Sequence, residues 1–172
     1  MSTLHQPQVD VTKRTLGFNG LEIDGVDLGG TDGEVTITKT TTWYERKCNE
    51  VMGKMGKVPI DCTVTLSFTL TEATLENLRR VWNEKAALSE TAEAKALFIG
   101  VPSNTFHTIT LYGINHYGKD RKYIFYNCCN AGGGSHSLKR DSDTFFPMEW
   151  EVYGDPTKDL TKRFGTIIDY KQ

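Results

Sequence analysis

The sequence predicts an α+β protein that is mainly β: an antiparallel β-sandwich or partial barrel flanked by one principal α-helix, in a single domain over residues 1–172. Three observations predict it. Period-two alternation runs through "VTITKTTTW" (35–43) and "CTVTLSFTL" (62–70). The same rhythm returns late in "TFFPMEWEVYG". Helical spacing is confined to one substantial segment, after Thr71.

Taken in order, residues 1–13 are polar and predict a flexible N-terminal arm. "LGFNGLEIDGVDLGGTDGEV" mixes short apolar pairs with Gly and Asp, which predicts turns around one or two short strands. In 35–43, Val35, Ile37 and Trp43 fall on one face, while Thr36, Thr38, Thr40 and Thr42 fall on the other. Lys39 interrupts the apolar side. In 62–70, Cys62, Val64, Leu66, Phe68 and Leu70 oppose a face of Thr63, Thr65, Ser67 and Thr69. Both strands thus carry a face of hydroxyls where Lys and Glu are the usual solvated choices.

The segment between them, "YERKCNEVMGKMGKVPI", has three charges in its first four residues, Met–Gly neighbours and a Pro. It predicts a long inter-strand loop over 44–58, well beyond the usual connection of about 2–5 residues. Cys48, Val51, Met52 and Met55 lie on it, and unbranched Met adapts to irregular surfaces. A docking element toward another subunit and simple disorder are both open readings.

Thr71 can cap a helix running to about Lys85, with Glu72 well placed for the dipole and Leu75, Leu78 and Trp82 on the packing face. A weaker helical piece follows from Ser89. Beyond Pro102, "TFHTITLYGI" and "RKYIFYNCC" form a hairpin across "NHYGKD", and "AGGGSHS" is a glycine connection. Phe146, Met148, Trp150 and Val152 share one face of the next strand, and "FGTIIDY" closes the chain.

Net charge −2 and pI near 6.1 argue against a protein that grips nucleic acid by its phosphates. No apolar run approaches the roughly 20 residues that span a bilayer, so no membrane partner is expected. The four cysteines follow no zinc spacing, and reduced thiols are the expectation. Cys128–Cys129 with His136 matches no ligand rule. "AGGGSHSLKR" lacks the P-loop pattern, and "DGVDLGGTDG" lacks EF-hand spacing. The histidines are scattered and no serine sits in a G-x-S-x-G turn. No catalytic residue, metal ligand or cofactor follows, and a non-enzyme is expected.

Two hydroxyl stripes on strands flanking one connection should pair and merge into a broad face, polar without strong charge. An ordinary solvated sheet is one reading of such a face. A channel wall that must not stick to what passes is the other.

"DLGGTDGEVTITK", the 44–58 segment, "GKVPIDCTVTLSFTLTEATLENL" and "FFPMEWEVYGD" resemble the tail tube (major tail) proteins of long-tailed bacteriophages, over roughly residues 16–170. The resemblance implies a ring-forming fold whose hexameric rings stack into the conduit for DNA ejection. It implies Thr36, Thr38, Thr40, Thr42, Thr63, Thr65, Ser67 and Thr69 as lumen-facing candidates. It also implies that 44–58, with Cys48, Val51, Met52 and Met55, reaches the adjacent ring, and that the helix packs outside the sheet through Leu75, Leu78 and Trp82. Implied partners are further copies of the chain, tape measure, baseplate or tip and tail terminator proteins, a sheath protein in a contractile tail, and DNA in transit. The implied location is the virion tail, with assembly in the host cytoplasm. The tube protein of a type VI secretion system shares this architecture and is the alternative. A small-ligand β-barrel is a weaker one, since "TFHTITLYG" and "RKYIFYN" supply aromatic walls without convergent polar anchors.

Overall fold

A computed structural model describes residues 16–48, 51–72, 74–84, 87–101, 105–135, 138, 140–141 and 143–171. The expected arm at 1–13 lies outside them. Among the described residues the fold is mainly β with one helix, and the principal sheet is antiparallel throughout.

β1 (Leu16–Ile23) turns into β2 (Val26–Asp27) through Asp24 and Gly25, both at positive φ. That is the backbone a two-residue Asp-Gly hairpin favours. Gly29, also at positive φ, lies so close to the Glu72 carboxylate that a Cβ there would collide with it. β3 (Thr31–Cys48) and β4 (Val51–Leu70) follow, then α1 (Leu75–Val81). A two-stranded ladder of β5 (Ser89–Glu90) and β6 (Lys95–Ala96) leads to β7 (His107–Ile114), β8 (Asp120–Gly134), β9 (Phe146–Val152) and β10 (Gly165–Asp169). The main sheet runs β2-β1-β7-β8-β9-β4-β3, and β10 continues along the edge of β8 where β9 leaves it. The two ends of this order do not pair, so the barrel is not closed.

One face of the curved sheet holds the core. Val64, Leu66, Phe68 and Leu70 of β4 meet Phe146, Met148, Trp150 and Val152 of β9, all buried. Leu21, Ile23, Leu28, Ile109, Leu111, Phe125 and Cys128 extend the cluster across β1, the residue just after β2, β7 and β8. Leu78 and Val81 of α1 are buried in it, with Leu75 and Trp82 partly buried against it. The helix is further held by Asn77, whose side-chain amide donates to the Leu28 and Glu72 carbonyls at 3.0 and 3.1 Å.

Four expectations need correction. The described part of the 44–58 segment, 44–48 and 51–58, is not loop: β3 and β4 continue through it as a paired ribbon, Tyr44 opposite Val58 and Glu45 opposite Lys57. Charges are tolerated because the ribbon is solvated, and Pro59 sits opposite Trp43 beside a register shift, the kind of ladder irregularity at which strands admit Pro. The helix starts three residues later and is shorter than expected, because the Thr74 hydroxyl, not Thr71, accepts from the Asn77 amide at 3.1 Å. The weak helix from Ser89 is instead the β5–β6 ladder, closed by Thr91 and Ala94 and tied to α1 by Lys95–Glu76 at 2.6 Å. Finally, β8 runs on to Gly134, so the glycine stretch begins as strand.

The packing of α1 gives two expectations. Leu78→Ala should cost about 2–5 kcal/mol in chemical denaturation, the range for a buried Leu truncation. Thr74→Ala should cost about 1 kcal/mol through the lost cap. An unchanged midpoint for Leu78→Ala would place the helix off the core.

Candidate functional site

The two hydroxyl stripes become one surface through register. In an antiparallel pair, directly opposed residues share a face, and Thr36 opposes Ser67, Thr38 opposes Thr65, and Thr40 opposes Thr63. Thr42 opposes Asp61. The rows continue into β9, where Ser67 meets Glu149, Thr65 meets Glu151 and Thr69 meets Pro147, and Cys129 of β8 lies beyond Glu151. Thr36, Thr38, Thr40, Thr42, Ser67 and Glu149 are exposed, while Thr63, Thr65, Thr69 and Glu151 are half-buried. This solvated face contains hydroxyls and carboxylates and, in these β3, β4 and β9 rows, no Lys or Arg.

Glu149 and Glu151 were missed in reading the sequence as site residues, although a signal was there. They occupy the alternate positions of "MEWEV", whose apolar members are the core face. The face is therefore more acidic than its threonines alone suggest. Tyr153 donates to Glu151 at 2.8 Å, and this hydrogen bond to the carboxylate is the main cause of a raised phenol pKa.

On the opposite face, β3 behaves differently from β4. Lys39 pairs with Val64 and so lies on the core side, yet β3 is an edge strand that overhangs the core. Val35 is partly buried, whereas Ile37 is exposed and Trp43 more than half exposed. A small cleft of about 130 Å³ between Val35, Ile37, Phe18 and Tyr123 marks where the sheet curls without closing.

Beyond the last β9 pairing, at Val64, β3 and β4 extend as a two-stranded arm. Trp43, Tyr44, Met55 and Ile60 on it are all more than half exposed. Glu45 and Lys57 pair across it at 3.5 Å. Cys48, Val51 and Met52 lie at its end by register, with Cys48 opposite Val51.

A polar cluster sits at the other end of the body. His107 Nδ1 lies 2.6 Å from Asp24 Oδ2, and its Nε2 lies 3.3 Å from Asn83 Oδ1. Asn83, buried and at positive φ just after α1, also donates to the Thr105 carbonyl and to Cys129 Sγ. Trp150 meets the His107 ring edge-on. The cluster ties the β1–β2 turn, the helix end and β7 together. Beside it an open cleft of about 260 Å³ is lined by Arg79, Arg80, Glu84 and Thr105, and both Glu84 oxygens are taken by the Gly100 amide.

The adjacent cysteines do not form an activated thiol. Cys128 is fully buried and burial pushes its thiol up to about 12; burial likewise raises Cys129. His136 lies outside the described residues. Among the described residues, no group of three or more His, Cys, Asp or Glu is arranged to hold a metal ion. No described helix is long and apolar enough to cross a membrane.

The chain matches no protein-family model and no curated protein.

The cysteine environment yields a chemical expectation. A thiol at about 12 is roughly one part in 10,000 thiolate near pH 8, and thiolate is the reactive form. Peptide mapping after a short exposure to iodoacetamide near pH 8 should find Cys128 unmodified in the folded protein and modified in denaturant. Rapid labelling of Cys128 in the folded state would contradict its burial.

Proposed function

We propose that the protein is the structural subunit of a bacteriophage tail tube, assembling into stacked rings whose lumen conducts DNA. The observation that carries the reading is the continuous hydroxyl–carboxylate face across β3, β4 and β9, free of cations in its paired rows. A conduit for a polyanion must avoid many weak phosphate contacts, because they sum to a brake. Hydroxyls wet such a wall without gripping, and Glu149 and Glu151 repel phosphate.

Two further features support it. The sheet is open at β3, an 18-residue edge strand whose backbone groups call for a partner. The arm exposes Trp43, Tyr44, Met55 and Ile60, apolar side chains that a second copy can cover. On this reading the partners are further copies of the chain, together with the tape measure, tip and terminator proteins that bound a tube, in the virion. The sequence resemblance, not a site chemistry, distinguishes a phage tube from a secretion tube of the same architecture.

Negative-stain microscopy of the purified protein tests assembly, with hollow tubes or stacked rings expected and a monodisperse monomer at high concentration contradicting it. Deleting residues 47–56 should leave a cooperatively melting subunit that makes no long tubes, and normal polymerisation of that variant would remove the arm from assembly. For the lumen, T65K/S67K should leave tubes intact, since Ser67 is exposed and a Lys at the half-buried Thr65 carries its ammonium out to water on a long stem. DNA ejection from particles carrying it should slow, most at low salt, as counterion release requires. Ejection unchanged at every salt concentration would place this face away from DNA.

A further inference from the structure

The arm's charge and the charge at the far end of the same two strands are of opposite sign. From Thr15 to Thr38 the sequence holds Glu22, Asp24, Asp27, Asp32 and Glu34 and no Lys or Arg. Glu22 accepts from Tyr112 and Asp24 is engaged by His107, in a region where Arg79 and Arg80 also lie. Asp27, Asp32 and Glu34 are exposed, and the fold adds the exposed Glu72, whose carboxylate accepts from the Gly30 amide. Lys95, on β6, is taken up by Glu76 and Glu90.

From Glu45 to Lys57 the sequence holds Arg46, Lys47, Lys54 and Lys57 against Glu45 and Glu50. Lys57 is matched by Glu45. Arg46 and Lys47 are exposed, and Lys47 stands opposite Lys54 in the register. Fourteen residues of strand separate Asp32 from Arg46, about 45 Å at ~3.3 Å per residue. That is several times the Debye length of about 10 Å at 0.1 M salt, so the arm of a subunit does not screen the acidic end of that same subunit.

We propose that copies stack head to tail, the basic arm of one seated on the Asp27/Asp32/Glu34/Glu72 end of the next. This rests on the tube reading above and names the receiving surface. Two different patches in contact make a heterologous interface, which propagates as a stack and does not close as a pair. The charges set orientation and register, while Trp43, Tyr44 and Met55 supply the apolar area that is covered.

Two full-length charge-reversal variants test it: R46E/K47E/K54E on the arm and D32K/E34K on the acidic end. Each alone should retain its thermal transition, lose tubes and leave rings or free subunits by microscopy and sedimentation. Mixed, they should restore tubes, because each reversed patch finds its complement. Wild-type tube length should fall as salt rises toward about 1 M, where the Debye length is about 3 Å. Wild-type tubes with either variant polymerising normally, or a folded mixture that stays unassembled, would overturn this contact while leaving the tube reading standing. A wild type that forms no polymer at all would overturn both. If a reversal variant loses its thermal transition, the neutral pairs R46Q/K47Q and D32N/E34Q carry the same test. Each should shorten tubes and lose the salt dependence, and unchanged salt dependence would overturn the contact.

Discussion

The pairing of β3 with β4 decides where everything else goes. Its register sets Val64, Leu66, Phe68 and Leu70 on the buried side and Thr63, Thr65, Ser67 and Thr69 on the other, beside Thr40, Thr38 and Thr36. A slip by one residue would turn those four apolar side chains to water. At roughly 1.5–3 kcal/mol each, that loss is comparable to the whole stability of a domain, about 5–15 kcal/mol. The hydroxyl face is therefore specified indirectly, by what the opposite face must bury.

The same pairing generates the arm. Because β9 stops at Val152, opposite Val64, the ribbon beyond it has no neighbour among the described strands on either side. Core burial no longer fixes its composition, and Gly, Lys, Arg and Met appear where the body of the sheet uses Val, Leu and Phe. The segment keeps its ladder by cross-strand pairing alone, including Glu45 with Lys57. Isolated two-stranded ribbons are marginal in water, so a partner covering Trp43, Tyr44 and Met55 would add to the arm's order.

Where the core dictates the pattern, the sequence was legible. The alternations in 62–70 and 146–152 correspond to β4 and β9, and the hairpin across "NHYGKD" to β7 and β8. Where the core is absent, pattern reading failed. The arm carries no alternation, so charges and Met–Gly neighbours mimicked a loop. Ile37 and Trp43 repeat at strand spacing but lie on an edge that overhangs the core, so their apolar face is largely exposed. The helix was placed too early because Thr71 and Thr74 are both capping residues, and only the backbone distinguishes them. Among the candidate surface residues, the eight hydroxyls were visible as two stripes. Their union with Glu149 and Glu151 required strand order, which local pattern does not contain.

The most direct measurement is the cross-strand register of β3 and β4, read as backbone NMR contacts on the dispersed subunit or, by magic-angle spinning, on its polymer. Contacts linking Thr38 with Thr65, Thr36 with Ser67 and Glu45 with Lys57 are expected, so that body and arm form one continuous ladder. A ladder ending near Trp43, or one shifted by a single residue, would dissolve the arm or split the hydroxyl face, and with it the basis for a conduit wall.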